Sequence, residues 1–256
     1  MGSTFGSMTQ TSAPGLDATG VGATGMDAAR VGAAGGFELS PQEIAYFQTF
    51  GFLRIPGLFA ADIGRITDGF ERIFADQPIW ETHESLHLDQ RRLIIPGFIE
   101  KDPELGALLA DDRVHGTVRS LMGEHYEYCQ SDGNLFYCES SWHPDTYSAP
   151  LTRYHVKLSF YLDPIDSASG AIRMIPGTNF QTSRFARTLR RGLDDPVRIG
   201  EVFGVEGRDI PSWTLATDPG DLVVWNFRTI HASFNGGERR RLFSMNFREV
   251  EAPSEG

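Results

Sequence analysis

The chain has 256 residues, 40% of them hydrophobic, enough for the core of one large β-domain or two small domains. Its 34 acidic and 23 basic side chains leave a formal charge of −11. That balance argues against nucleic acid and anionic membranes as general partners, because neutralising phosphate needs a basic face. Two cysteines, Cys129 and Cys138, are too few for a disulfide framework, no basic-then-apolar leader opens the sequence, and no apolar run reaches the ~18 residues of a membrane span. A cytoplasmic protein with reduced thiols is expected.

Residues 1–36 are rich in Gly, Ala, Thr and Ser, with Phe5 as their one aromatic. They contain an approximate repeat, LDATGVGATG at 16–25 and MDAARVGAAG at 26–35. Such a composition buries too little apolar area to offset chain entropy, so a disordered tail is expected, followed by one folded domain over 37–256. Ser40-Pro41-Gln42-Glu43 predicts a helix start, with Ser as N-cap, Pro at the first helical position and Glu three residues after the cap. That helix ends at Gly51. FLRIPGLF (52–59) reads as a strand and turn, and Ala61–Phe74 as a second amphipathic helix. RRLIIPGF (91–98) is a short strand, and Pro103–Met122 carries one or two helices closed by Gly123.

Beyond residue 123 the apolar period changes from helical to alternating. HYEYCQ (125–130) and NLFYCESS (134–141) are predicted strands, with Ser131-Asp132-Gly133 as a hairpin turn between them. In RYHVKLSFYLDP (153–164), Val156, Leu158, Phe160 and Leu162 share one face, and His155, Lys157, Ser159 and Tyr161 the other. GAIRMIPG (170–177), 213–227 and 240–250 are further strands. Helices first and many short strands afterwards predict a mainly β fold: a double-stranded β-helix, or jelly roll, with N-terminal α-helices on its outside. Residues 181–212 interrupt the strands as an insertion over the barrel mouth. Its arginines (Arg184, Arg187, Arg190, Arg191, Arg198) present either a solvated helix face or a lid that meets an anionic substrate group.

Chemistry concentrates in three places. His143-Pro144-Asp145 puts an imidazole and a carboxylate on one face of an extended strand, since residues i and i+2 point the same way. His231 lies in a later strand-like run, LVVWNFRTIHAS. Two histidines and one carboxylate form the facial set that holds non-heme Fe(II) and leaves positions open. An α-keto acid filling those positions needs a bidentate cation for its far carboxylate, and Glu238-Arg239-Arg240-Arg241 supplies candidates. By contrast, a surface or hydrogen-bonded role suits His155 better than a place in the cavity lining, and Lys157 is expected in solvent, with a contact to a carboxylate as the alternative. His83, His87, His115 and His125 have no partners that suggest a site, and Trp225 and Phe227 are expected in the core.

These residues resemble the phytanoyl-CoA dioxygenase-like family of Fe(II)/2-oxoglutarate-dependent oxygenases, the branch that includes ectoine hydroxylase. The resemblance runs from about Phe47 to Phe247. It is carried by WHPD (142–145), SGAIRMIPGTN (169–179) and PGDLVVWNFRTIHASFNGGERRRLFSMNF (219–247), with FGFLRIPGLF (50–59) as entry segment. It implies that His143, Asp145 and His231 bind iron. It implies that Arg240, followed by Ser244 on the same strand face, clamps 2-oxoglutarate, with Arg241 as runner-up. QSDGNLF (130–136) extends the likeness to Asn134 as a second 2-oxoglutarate contact. Asn179, where the family has His, is expected to be structural. The implied reaction uses O2, decarboxylates 2-oxoglutarate to succinate and CO2, and oxidises a C–H bond of a small-molecule substrate in a monomer or homodimer. Asp145 favours hydroxylation or another oxidative outcome, such as desaturation or ring closure, since halogenating relatives replace this carboxylate. Two other readings stay open: a non-redox metal enzyme of the cupin type, for which the arginine has no use, and a binding homologue that has lost turnover.

Overall fold

The computed structural model describes residues 36–76, 80–82, 92–136, 139–145, 152–193, 195–236 and 239–251. The expected tail, apart from Gly36, lies outside them, as do His83, His87 and Cys138.

The first helix, α1 (Pro41–Phe50), starts as its sequence dictates. Ser40 Oγ accepts the Glu43 N–H, and the Glu43 carboxylate accepts the Ser40 N–H at 2.9 Å. Gly51 ends it at φ 87°, a left-handed position that favours glycine. There follow β1 (Phe52–Ile55), α2 (Ile63–Asp76), β2 (Trp80–Thr82) and β3 (Arg92–Pro96). The segment after residue 102 divides into α3 (Pro103–Gly106), a 3-10 turn and α4 (Asp112–Met122). Then come β4 (Tyr126–Phe136), β5 (Ser140–His143), β6 (His155–Tyr161), β7 (Ile172–Met174), α5 (Arg184–Leu193) and α6 (Pro196–Phe203). The chain finishes with β8 (Trp213–Thr214), β9 (Leu222–Asn226), β10 (His231–Ser233) and β11 (Arg240–Glu249).

Among the described residues the strands form two antiparallel sheets, ordered β1-β9-β6-β11-β4-β3-β2 and β5-β10-β7-β8. This is the expected jelly roll. The large sheet is buried on both faces. Its outer face carries Val156, Leu158, Phe160, Phe243, Met245 and Phe247 into a core shared with Phe47, Phe70 and Phe98. The Phe160 and Phe243 rings stack there at 4.7 Å. Each fully buried phenyl contributes about 2–3 kcal/mol of transfer free energy, so this layer fixes which face of β6 and β11 looks outward. The opposite face meets the small sheet across an inner cluster that includes Tyr161, Met174, Val223, Trp225 and Leu242.

Four expectations need correction. Ser131-Asp132-Gly133 is no turn: β4 runs unbroken to Phe136 and pairs with both β11 and β3. Gly133 is there for space, because a Cβ would lie 2.1 Å from the Phe98 ring. The strand expected over 134–141 stops at Phe136 and resumes as β5. The run 213–227 is two strands, β8 and β9, parted by a turn at Gly220 (φ 98°), which lies against the Ala60 backbone. The insertion 181–212 does not roof the barrel. Its helices cover the outer face of the small sheet, where Leu193 and Ile199 pack with Trp142, Ile230 and Ala232. Arg184, Arg187 and Arg191 are exposed there, as a solvated face would have them, while Arg190 is half-buried and donates to the Arg228 carbonyl at 2.8 Å.

Candidate metal centre

Strand pairing creates the site. His143 in β5 stands opposite His231 in β10, so both imidazoles leave the same inner face, with ring centroids 4.4 Å apart. Past Pro144 the chain turns, and the Asp145 N–H donates to the Phe227 carbonyl at 2.8 Å. That contact swings the carboxylate toward the histidines. One donor atom from each of His143, Asp145 and His231 lies within 4.8 Å of the others. His231 Nε2 is 3.9 Å from Asp145 Oδ1.

Each ring is oriented from behind. His143 Nδ1 lies 2.7 Å from the Ser141 carbonyl and His231 Nδ1 2.9 Å from the Thr229 carbonyl. A carbonyl only accepts, so each Nδ1 carries the proton and each Nε2 keeps a lone pair for a metal. Burial, with His231 close by, pushes the His143 pKa down to about 4, and burial lowers that of His231. Burial alone would raise the Asp145 pKa; the Lys157 ammonium, the two histidines and the Trp225 N–H outweigh it and hold the carboxyl well below the usual carboxylate range. The trio therefore stands as two neutral imidazoles and one carboxylate, the protonation states that metal ligands need. That donor set suits non-heme Fe(II) with coordination positions left open.

Two side chains hold Asp145, one of them unforeseen and the other, Lys157, expected in solvent with a carboxylate contact as its alternative. Trp225 Nε1 donates to Asp145 Oδ2 at 2.8 Å, and Lys157 Nζ lies 3.1 Å from Asp145 Oδ1. Trp225 does belong to the core, but its indole N–H has this further use. Lys157, expected in solvent, is largely buried and lies 5.4 Å and 5.2 Å from the Trp225 and Phe227 ring centroids. The available signal was its inward parity on β6, shared with Ser159 and Tyr161.

The two neighbouring arginines separate cleanly. Arg240 points inward and is buried; its guanidinium donates to the Gly170 carbonyl at 2.5 Å and to Ser233 Oγ. A Cβ on Gly236 would come within 2.6 Å of its Cζ, and one on Gly170 within 2.9 Å of Nη1, so two glycines form its cradle. Ser244 shares its face and bonds Ser159, Oγ to Oγ, at 2.6 Å. Arg241 points the other way, held by Asp163 and by Glu71 at 2.7 Å. Asn134 is buried on the inner face of β4, where Oδ1 accepts from Arg92 Nε at 2.6 Å and Nδ2 donates to Asp132. The Arg92 and Arg240 guanidinium carbons lie 5.2 Å and 5.4 Å from the Phe136 ring centroid, which places Asn134 beside the Arg240 cradle.

The other described histidines stay apart from the trio. His115 is tied to the Leu109 carbonyl and the Tyr126 hydroxyl, His125 is exposed, and His155 bonds the Arg153 carbonyl beside the Phe227 ring. Asn179 is structural, its Nδ2 donating to the Gln48 carbonyl at 3.2 Å.

A family model described as phytanoyl-CoA dioxygenase matches residues 47–242. No curated protein matches the sequence. Among solved structures, the non-heme α-ketoglutarate dependent carbocyclase SnoK from nogalamycin biosynthesis aligns at TM-score 0.64 and 17% identity, over 83% of this chain and 85% of that one. HygX from Streptomyces hygroscopicus, with nickel and 2-oxoglutarate bound, aligns at TM-score 0.63 and 18% identity, over 83% and 88%. EctD from S. alaskensis aligns at TM-score 0.62 and 20% identity, over 82% and 77%. At such identities the likeness to these structures speaks for the fold.

Proposed function

Because the chain belongs to the phytanoyl-CoA dioxygenase family, we propose that it is an Fe(II)- and 2-oxoglutarate-dependent oxygenase that hydroxylates an unactivated C–H bond of a small organic substrate. The observation that carries this reading is the convergence of His143, Asp145 and His231, with donor atoms within 4.8 Å of one another, in a lumen that also holds a buried arginine.

His143 and His231 offer Nε2, and Asp145 offers Oδ1. The carbonyls of Ser141 and Thr229 fix both rings before any ion arrives, so little ordering is needed on binding. Arg240 takes the far carboxylate of 2-oxoglutarate with its planar fork, and Asn134 offers an amide N–H nearby. When bound, iron and 2-oxoglutarate supply the oxidising power: O2 is consumed, 2-oxoglutarate leaves as succinate and CO2, and oxygen enters the substrate. The inner cluster around Tyr161 and Met174 keeps bulk water from the reacting end. Asp145 occupies a coordination position that a halide would otherwise need, which favours hydroxylation.

The test is turnover of 2-oxoglutarate. Purified protein with Fe(II) and air should release succinate, and a true substrate should raise that release and gain one oxygen atom. Absence of succinate, together with no 2-oxoglutarate-dependent rise in melting temperature, would falsify the reading.

A further inference from the structure

We propose that Thr178 is a positioning residue for the metal centre, its hydroxyl holding the peptide that aims His231, an inference that rests on the function proposed above.

The corner Pro176-Gly177-Thr178 follows β7 and meets the turn that leads into β10. Thr178 is fully buried. Its hydroxyl donates to the Ile175 carbonyl at 2.7 Å, and the same oxygen accepts the Ile230 N–H at 2.9 Å. That N–H belongs to one peptide unit with the Thr229 carbonyl, and the Thr229 carbonyl accepts the His231 Nδ1–H at 2.9 Å. A trans peptide is planar, with its N–H and C=O pointing to opposite sides. Holding one end therefore sets the direction of the other. The contacts run from Ile175 through Thr178 and a single peptide plane to an imidazole of the trio.

Other contacts hold the flanks of this peptide. The Thr229 hydroxyl donates to the Gly51 carbonyl at 2.9 Å, and the Ile230 carbonyl accepts the Ile175 N–H at 2.9 Å. Both fix where the turn sits. Rotation of the plane between the two Cα atoms would break the bond from Ile230 to Thr178 and swing the Thr229 carbonyl off the His231 ring. The Ile230 N–H is buried, so without the hydroxyl it is drawn toward another acceptor, and the plane turns with it. The alternative is that Thr178 only closes the corner after β7. That alternative predicts lower stability with no change at the metal.

The experiment uses the full chain with Co(II) alone as probe, so that no turnover intervenes. Calorimetry gives the Co(II) affinity, visible absorption reports the ligand field of the bound ion, and thermal melting reports stability. Thr178→Val keeps the shape and removes the hydroxyl, and Thr178→Ser keeps the hydroxyl. Thr117→Val makes the same change at a buried threonine of α4, whose hydroxyl donates to the Arg113 carbonyl. Thr178→Ala serves if the valine variant does not fold. We expect Thr178→Val to bind Co(II) about tenfold more weakly, at the lower end for outer partners of metal ligands, with shifted ligand-field bands. Thr178→Ser should stay within about threefold of wild type and keep the wild-type bands, as a retained hydroxyl implies. Thr117→Val should alter the melting temperature alone. A Thr178→Val protein, or its alanine stand-in, with Co(II) affinity within about threefold of wild type or with unshifted bands overturns the proposal. So does a loss that serine does not rescue, or an equal loss in Thr117→Val, and each of these leaves the oxygenase reading intact. A wild type that binds no Co(II) overturns both.

Discussion

Trp225→Phe isolates the smallest part of the centre with a large expected effect. The substitution removes one donor, the indole N–H that reaches Asp145 Oδ2 at 2.8 Å in a buried setting. A hydrogen bond to a charged group contributes about 1.5–3 kcal/mol. At about 1.4 kcal/mol per decade, its loss should weaken metal affinity roughly 10- to 100-fold, the range seen when the outer partners of metal ligands are removed. The smaller ring also leaves a gap beside Tyr161 and Met174, and that packing loss adds a stability cost of about 1–3 kcal/mol. The two effects are separable. Calorimetric Co(II) titration reports the first and thermal melting the second, and Phe160→Leu, on the other face of the sheet, should lower the melting temperature without touching Co(II) affinity. A folded Trp225→Phe protein that binds Co(II) within about threefold of wild type would refute the argument that the indole orients Asp145.

Three further outcomes follow from named contacts. Arg240→Met should weaken 2-oxoglutarate binding at least about 50-fold, whereas Arg241→Met should leave it unchanged and lower the melting temperature slightly, since Arg241 serves Asp163 and Glu71. Gly133→Ala should cost about 1–3 kcal/mol in a urea titration, because its Cβ would strike the Phe98 ring. Stability without metal should fall as the pH drops from 6.5 toward about 4. Both site histidines are held below their ordinary pKa, His143 at about 4, so the unfolded chain takes up protons first across that window. Melting curves across the window should be flatter for His143→Gln.

The parts of the fold that local rules govern were legible. The Ser40–Glu43 box forms as written, and the β6 alternation sorts its side chains onto the two faces it predicts. The errors came where a local signal had a distant cause. Ser131-Asp132-Gly133 looks like a turn because glycine is common in turns, yet here the glycine makes room for Phe98, a residue on another element. The position of 181–212 in the chain suggested a cover over the barrel mouth, but Leu193 and Ile199 pack on Trp142 and Ala232, partners far away in sequence. At the candidate site, the convergence of His143, Asp145 and His231 was legible because such a donor set is uncommon. Their supports were not. Nothing in a linear reading places the Trp225 indole on one Asp145 oxygen and the Lys157 ammonium on the other.

The choice between Arg240 and Arg241 was open in the motif, yet parity along β11 could have settled it. Phe243, Met245 and Phe247 alternate with Leu242, Ser244 and Asn246. The three larger apolar residues belong under the helices, where Phe243 stacks on Phe160, and Arg241 shares their parity. Arg240 shares the parity of Ser244 and so must face the lumen. A slip of one residue would exchange the two sets. What prevents the slip is the pairing of Phe243 with Gly133, the one residue of β4 that leaves space for the Phe98 ring, which lies 5.8 Å from the Phe243 ring. The glycine that misled the reading of β4 thus fixes the register that turns Arg240 into the lumen.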